Sequence, residues 1–242
     1  ATNDVTMSGG TVQANTATIQ ANGAAANSGF TMSSGLIEAT TTNITGANNV
    51  AVSGGSVKAT TANIIANGAA ANSGFTMSGG LIDAINTNIT AAKAISQAAG
   101  SIVATNTVAK AGTDLSLASV TNKLQNVTVD AQKGNATIVN GNDVAGDLNV
   151  QTVGAVGHDL RITNVDHGAV NAIVIDKNLQ ANGDIYIANN ETDINLDANS
   201  TIKSETGNVS IASVSNITSE GAINAVIGDV IFNADGNVSV NN

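Results

Sequence analysis

The residues best suited to binding a metal are aspartates in the second half of the chain, at positions where turns are predicted. Hard cations such as calcium need several oxygen ligands, and aspartate supplies them. The nonapeptide of calcium-binding β-rolls, with its closely spaced glycines, does not occur in this sequence. We therefore predict no cofactor; the alternative is calcium, for which the candidate ligands are Asp184, Asp193, Asp197, Asp229 and Asp235.

Two pairs of carboxylates are close enough in sequence to suggest glycoside hydrolysis, namely Asp143 with Asp147 and Asp193 with Asp197. That chemistry needs two carboxyl groups held roughly 5 to 9 Å apart beside a platform for the sugar. Aromatic residues, which would form the platform, make up only 2% of the chain. Because aspartate is also a preferred turn residue, we interpret both pairs as turn residues.

Histidine and arginine are equally sparse. A catalytic or metal-binding role for His158 or His167 needs partners that converge on it. β-Helical enzymes that cut acidic polysaccharides use clustered Asp, Arg and Lys in an aromatic groove, whereas Arg161 is the only arginine here. We predict that the protein is not an enzyme, that it has no catalytic residues and that both histidines lie at exposed turns.

The composition excludes several classes of protein. With no cysteine among 242 residues, the chain has neither a disulfide scaffold nor a zinc-finger site. Eight Lys and Arg against 18 Asp and Glu, a net charge of -10, argue against nucleic-acid binding. No apolar run approaches the roughly 18 residues of a membrane helix. Since the chain begins with Ala1, we expect either a secreted product without its signal peptide or a fragment of a longer chain.

The elements that hold these residues are predicted from internal repeats. The segment ANGAAANSGFTMS occurs at 21–33 and again at 66–78, an offset of 45. Repeats of 20 to 25 residues in which Thr, Val and Ile alternate are typical of the turns of a β-solenoid. A shorter motif, of which SGGLIDA is one version, places glycines at predicted corners with positive φ, 25, 20, 25 and 20 residues apart: Gly10, Gly35, Gly55, Gly80 and Gly100.

The longer, 25-residue repeats carry five extra residues at one point, in the segments 21–29 and 66–74. Since the insert recurs at the same place, both copies are predicted to project from the same side. Phe30 and Phe75 are expected to pack inward beneath the inserts, two coils apart. The segment 90–99 fits either a short helix or a strand followed by a loop.

From about residue 111 the repeat becomes glycine, then Asp or Asn, then two aliphatic residues separated by one residue of any type. All of the net charge of -10 lies in this part. We predict two regions of one solenoid: residues 1–110 with alternating 20- and 25-residue coils, and residues 111–242 with acidic Gly-Asp/Asn-aliphatic coils. The fold class is all-β, a parallel β-helix (β-solenoid) of about 11 coils, in which asparagines at stacked turn positions can form amide ladders.

The Gly-Asp/Asn-aliphatic units, clearest over residues 183–240, resemble the β-helical repeats of filamentous haemagglutinin-type adhesins and related bacterial surface proteins. The resemblance implies a right-handed β-helix. It also implies a secreted, extracellular protein that acts in adhesion or surface coating at the cell surface.

Both ends of the chain are predicted to be strands without a cap. Val5 and Met7 lie in the first strand pattern, and Val238 and Val240 lie in the last. An uncapped solenoid exposes unpaired backbone and core side chains. We therefore expect subunits to stack head to tail by strand pairing into an open filament, although a fragment of a longer solenoid would have the same pattern.

The leading hypothesis is a non-catalytic extracellular structural protein, a subunit or shaft segment of a surface filament whose partner is a second copy of itself. The first alternative is an adhesin that binds a receptor or a glycan through the inserts at 21–29 and 66–74. The second is a polysaccharide-active β-helix enzyme. None of the three involves nucleic acid or a membrane span.

Overall fold

The computed structural model describes residues 4–23, 28–68, 70, 73–141, 146–165 and 171–241. Over these residues it consists of β-strands joined by bends and turns, with no helix. All strand pairings in this part of the chain are parallel. The predicted all-β class is confirmed.

The first 111 residues form mostly long strands. Thr, Val, Ile and Ala alternate along them, which suits a pleated strand with one buried face. The longest strands bend at a corner, so one strand covers more than one side of a coil. They are β1 (Val5–Ala21), β2 (Gly29–Gly46), β3 (Asn49–Val52), β4 (Ser56–Ala66), β5 (Gly74–Ala91) and β6 (Ala94–Ala111).

The rest of the chain forms shorter strands separated by tight turns, which Gly, Asp and Asn favour. They are β7 (Leu115–Leu117), β8 (Lys123–Ala131), β9 (Ala136–Asn140), β10 (Leu148–Thr152), β11 (Leu160–Asn164), β12 (Ile173–Ile175), β13 (Asn178–Ala181), β14 (Ile185–Asn189), β15 (Ile194–Leu196), β16 (Thr201–Ser204), β17 (Val209–Ser213), β18 (Ile217–Ser219), β19 (Ala222–Ala225), β20 (Val230–Ala234) and β21 (Val238–Val240).

The strands wind into one continuous coil of about ten turns, which confirms the predicted parallel β-helix. The side of the coil that begins at Val5, called side 1 here, recurs every 20 to 25 residues in the chain. Its eleven strands each pair with the one before: β1, β2, β3, β5, β6, β7, β9, β11, β14, β17 and β20.

The core is a narrow stack of side chains that repeats from coil to coil. On side 1, Phe30, Val50 and Phe75 lie one above another and are buried. The two phenylalanines therefore point inward two coils apart, as predicted. Full burial of an aliphatic or aromatic side chain contributes about 1.5–3 kcal/mol, so neighbouring coils stabilise each other without many aromatic residues.

The glycines that recur in the first repeats occupy corners of the coil. Their φ angles lie between 77° and 96°, a region that side chains with a Cβ rarely adopt. This confirms the predicted positive φ at Gly10, Gly35, Gly55, Gly80 and Gly100.

Asparagine side chains form a ladder inside the coil, called the inner ladder here. Asn140, Asn164 and Asn189 are fully buried one above another. Nδ2 of Asn140 donates to Oδ1 of Asn164 at 3.2 Å, and Nδ2 of Asn164 donates to Oδ1 of Asn189 at 3.2 Å. Earlier in the chain, buried Asn122 and Gln97 exchange hydrogen bonds of 2.7 and 2.8 Å. These bonds satisfy amides that would otherwise be costly to bury.

Two further asparagine ladders lie on the outer surface between residues 43 and 126. The sequence predicts such ladders at stacked turns, whereas these asparagines lie within strands β2, β4, β5, β6 and β8. Nδ2 of each asparagine donates to Oδ1 of the one before, at 2.8 to 3.0 Å. The two ladders are Asn43, Asn63, Asn88 and Asn86, Asn106, Asn126.

The segment 90–99 is strand and bend rather than helix. Strand β5 ends at Ala91, residues 92–93 bend, and β6 begins at Ala94. Strand pairing also continues past residue 110, because β6 pairs with both β7 and β8. No break in pairing separates the two predicted regions at this point.

Candidate functional site

The first coil leaves part of its core open to solvent. Its inward-facing side chains Val5, Met7, Val12 and Ile19 are partly exposed, and they line a concavity of about 460 Å³. The residues that pair with them in the second coil are at most 1% exposed: Phe30, Met32, Ile37 and Ile44. The exposure therefore comes from the position of the coil at the end of the stack.

The last coil has the same open core at the opposite end. Val238 is 46% exposed and Val240 is 48% exposed. Ile223, Val230 and Phe232 are also at least partly exposed. The residues that pair with these five in the preceding coil are buried: Ile202, Val209, Ile211, Ile217 and Ser219.

The four residues predicted to form an assembly interface all lie in these terminal coils. The structure places Val5 and Met7 at one end and Val238 and Val240 at the other. It adds Val12 and Ile19 to the first face, and Ile223, Val230 and Phe232 to the last. Aligning each end segment with its neighbouring repeat would have found them, since they occupy the same aliphatic positions.

The aspartate or asparagine of the Gly-Asp/Asn-aliphatic motif has a structural function that the sequence did not indicate. Its Oδ1 accepts the backbone N–H of the equivalent residue in the next coil, at 2.7 to 3.1 Å. These residues form one column, called the Asx column here: Asp114, Asn135, Asp159, Asp184, Asn208 and Asp229.

The Asx column extends toward the first coil. Oδ1 of Asp4 accepts the N–H of Gly29 at 2.9 Å, and Oδ1 of Asn49 accepts the N–H of Gly74 at 3.2 Å. Both residues directly precede side 1, just as Asp229 does. Asp229 is the last member, and its side chain makes no hydrogen bond within the described part of the chain.

A second hydrogen bond accompanies each step of the column. The N–H of the first aliphatic residue donates to the carbonyl oxygen of the Asx residue in the next coil. Examples are Leu160 to Asp184 at 2.9 Å and Ile185 to Asn208 at 2.8 Å. Each pair of coils is thus joined by two reciprocal bonds at this turn.

The five calcium candidates differ in their hydrogen bonds and in their exposure. Asp184 and Asp229 belong to the Asx column, and Oδ1 of Asp193 accepts the N–H of Asn216 at 2.9 Å. Asp197 and Asp235 are exposed. Among the described residues, no group of three or more His, Cys, Asp or Glu could hold a metal ion. Calcium binding stays the alternative to the predicted absence of a cofactor, and a calcium titration of Tm tests it.

The Asp193 carboxylate is stabilised by hydrogen bonds from the following coil. The Ser215 hydroxyl and the backbone N–H of Asn216 donate to it, and Nδ2 of Asn216 adds a bond of 3.1 Å. These bonds, that from Ser215 foremost, lower the pKa of Asp193 below its usual 3.8, although partial burial acts in the opposite direction. They favour the charged form in the folded state.

Replacing Asp193 with asparagine is expected to make the protein less sensitive to acid. A lowered folded pKa stabilises the fold fully above the unfolded pKa of 3.8, and this contribution is lost as the pH falls through the folded pKa. Thermal melts followed by circular dichroism between about pH 5 and pH 2 measure the effect. Asp193→Asn should lose less Tm over this range than the wild type, with Ser215→Ala in between. Equal losses in all three proteins would contradict the assignment.

The remaining candidates for acid–base chemistry are dispersed. Arg161 stacks over the Tyr186 ring, 4.3 Å from its centroid, in adjacent strands of side 1. Oδ1 of Asp147 accepts the N–H of Ala172 at 2.9 Å. His158 lies in an exposed bend, as predicted. The predictions for Asp143 and His167 fall outside the described residues.

The two inserts are described only in part, because residues 24–27, 69 and 71–72 lie outside the described residues. At their bases, the Ser28 hydroxyl donates to the Gly23 carbonyl, and Ser73 is buried. Binding of a receptor or a glycan by the inserts at 21–29 and 66–74 stays a prediction. Its test is loss of binding when the inserts are deleted.

No protein-family model matches the chain, and neither a curated protein nor a solved structure matches it. The resemblance of residues 183–240 to haemagglutinin-type repeats therefore stays a hypothesis. Within the described ranges, no helix is long and apolar enough to cross a membrane.

Proposed function

We propose that this protein is a non-catalytic, extracellular structural protein. In this proposal it is a subunit or shaft segment of a surface filament, extended head to tail by strand pairing between the terminal coils of successive copies. The observation that carries the proposal is the open core at both ends of the described solenoid. There, side chains of the core stack are exposed although their neighbours one coil away are buried.

Pairing with another coil would satisfy the unpaired backbone groups of a terminal coil and would also cover its exposed core side chains. The outer edge of a terminal β-coil presents backbone donors and acceptors that a further strand can bind. The same strand would cover the open core, and each fully buried aliphatic side chain contributes about 1.5–3 kcal/mol. Association is thus expected to be most favourable in free energy at the two ends of the solenoid.

The remaining surface supports a structural role. Two of the five aspartates selected as calcium candidates, Asp184 and Asp193, accept hydrogen bonds from the next coil through their side chains. The second region carries the whole net charge of -10, and this charge would repel neighbouring rods and keep filaments dispersed. Secretion and location at the cell surface rest on the resemblance of residues 183–240 to surface adhesin repeats.

The purified chain is expected to elongate into rods as its concentration is raised. Sedimentation velocity and negative-stain electron microscopy measure the length distribution. Val238→Lys should raise the concentration needed for elongation by more than about a hundredfold, because it would place an uncompensated charge in the junction.

Val120→Lys is the matched control. Val120 is 51% exposed, close to the 46% of Val238, but it lies in a turn on the side of the coil. This variant should elongate like the wild type. Rods that keep the length of a single copy at every concentration would overturn the proposal, as would normal elongation of Val238→Lys.

A further inference from the structure

The structure assigns a specific register to the junction between two copies, an inference that rests on the proposed function. We propose that Asp229 of one copy binds Asp4 of the next, so that the Asx column continues across the junction without a break. The partner is thus a second copy of this chain, oriented head to tail. Side 1 of its first coil then lies directly over side 1 of the last coil.

The alignment follows from strand pairing along the whole solenoid. Each step on side 1 joins equivalent residues, so the eleven strands connect Val5 in the first coil to Val230 in the last. Asp4 and Asp229 immediately precede these residues. They therefore occupy the same place in the repeat, one at each end of the stack.

The same two hydrogen bonds that join internal coils can form at the junction. Within the chain, the N–H of Asp184 donates to Oδ1 of Asp159 at 2.9 Å, and the N–H of Leu160 donates to the Asp184 carbonyl at 2.9 Å. At the junction, the N–H of Asp4 would donate to the Asp229 carboxylate, and the N–H of Val230 would donate to the Asp4 carbonyl. The Asp229 side chain has no other hydrogen-bond partner among the described residues.

The core also matches on side 1 in this register. Val230 would lie against Val5, and the partly buried Phe232 against Met7. The concavity of about 460 Å³ that Val5 and Met7 line would receive the Phe232 ring. A partly buried aromatic side chain at one end thus faces a concavity at the other.

A second side of the coil gives the same alignment. Thr16 of the first coil connects through ten successive pairings to Ser239 of the last coil, so these two residues would be neighbours at the junction. The third side is one level shorter, because Ala21 connects to Ala225 through nine steps. In this register a space one strand high therefore separates Ala225 from Ala21 of the next copy.

Disulfide cross-linking tests the register, because the native chain contains no cysteine. Thr6 and Ile231 both point outward and would be direct neighbours at the junction. Adjacent strands lie about 4.8 Å apart, within the usual Cα separation of disulfides. When Thr6→Cys and Ile231→Cys proteins are mixed and oxidised, a mixed dimer should form at least about ten times faster than either homodimer.

Ser8→Cys with Ile231→Cys is the control for register. Two residues farther along the strand add roughly 6.6 Å, which places the Cα atoms beyond disulfide reach. Homodimers as abundant as the mixed dimer, or equal cross-linking of Ser8→Cys, would overturn the register. If rods still elongate in that case, the proposed function stands without it. If no rods form before oxidation, the proposed function fails as well.

Asp229 variants test the hydrogen bond itself. Asp229→Ala removes the acceptor and should raise the concentration needed for elongation about three- to tenfold. Asp229→Asn keeps the oxygen, as Asn208 and Asn135 do in the same column, and should elongate at least as well as the wild type. The Tm of the unassembled chain should stay the same in both. Equal elongation of Asp229→Ala and wild type would overturn this contact.

Discussion

Replacing Asn164 with leucine is expected to lower the free energy of unfolding by about 2–3 kcal/mol, although leucine is apolar and similar in size. Asn164 is fully buried in the middle of the inner ladder. The substitution would leave one of the two N–H groups of Asn140 Nδ2 unpaired, since the other can donate to the Leu124 carbonyl. It would also remove the bond to Oδ1 of Asn189, which keeps the N–H of Glu191. An unsatisfied buried donor costs about 1–3 kcal/mol and a lost hydrogen bond about 0.5–1.5 kcal/mol, and burial of leucine's methyl groups offsets part of this sum.

The outer ladder supplies the matched control for this prediction. Asn63 also sits in the middle of a ladder, with bonds of 2.8 Å to Asn43 and Asn88, but it is only half-buried. Water can replace those bonds, so Asn63→Ala should cost no more than about 1 kcal/mol. Urea unfolding followed by circular dichroism compares the two variants. An Asn164→Leu protein as stable as the wild type would show that the inner ladder is dispensable.

Replacing Gly100 with alanine is expected to cost about 3–5 kcal/mol, from strain of the backbone and from a clash with the preceding coil. Its φ is +77°, and an added Cβ would lie 2.7 Å from the carbonyl carbon and oxygen of Gly79. Backbone atoms held by strand pairing cannot move aside cheaply, so the coils would have to separate locally.

Gly10 separates the two contributions. Its φ of +78° matches that of Gly100, but an added Cβ would meet no atom within 4 Å because Gly10 lies in the first coil. Gly10→Ala should therefore cost only the strain of positive φ, about 1–2 kcal/mol. Thermal and urea unfolding of the two variants under conditions that keep the chain unassembled give the difference. Equal destabilisation would mean that close approach of the coils adds nothing.

The inner ladder and the Asx column show where prediction from the sequence stops. Outer asparagine ladders could be expected, because Asn63 and Asn88 recur at equivalent positions of a regular repeat. The inner ladder could not be expected, since it runs through the irregular second region and asparagine is usually exposed. Its members are recognisable only when the path of each coil is known.

The candidate site, too, could be predicted from the sequence only in part. The exposed core of Val5, Met7, Val238 and Val240 could be located from the aliphatic pattern near each end of the sequence. The calcium candidates were selected by residue type, and type alone did not reveal that Asp184 and Asp193 accept hydrogen bonds from backbone N–H groups. An aspartate oxygen can bind a cation or a backbone N–H group. Which of the two it binds depends on the atoms of the adjacent coil that lie within hydrogen-bond distance.

The sequence by itself determined the coil length, the glycine corners and the aliphatic face that turns inward. These are local properties, because backbone φ at a corner and side-chain alternation along a strand depend on neighbouring residues. Only the tertiary structure decided which polar atoms meet, since the partners in the Asx column lie 21 to 25 residues apart. Their contact depends on the register of each coil on the one before it, which the strand pairing keeps although the coils differ in length.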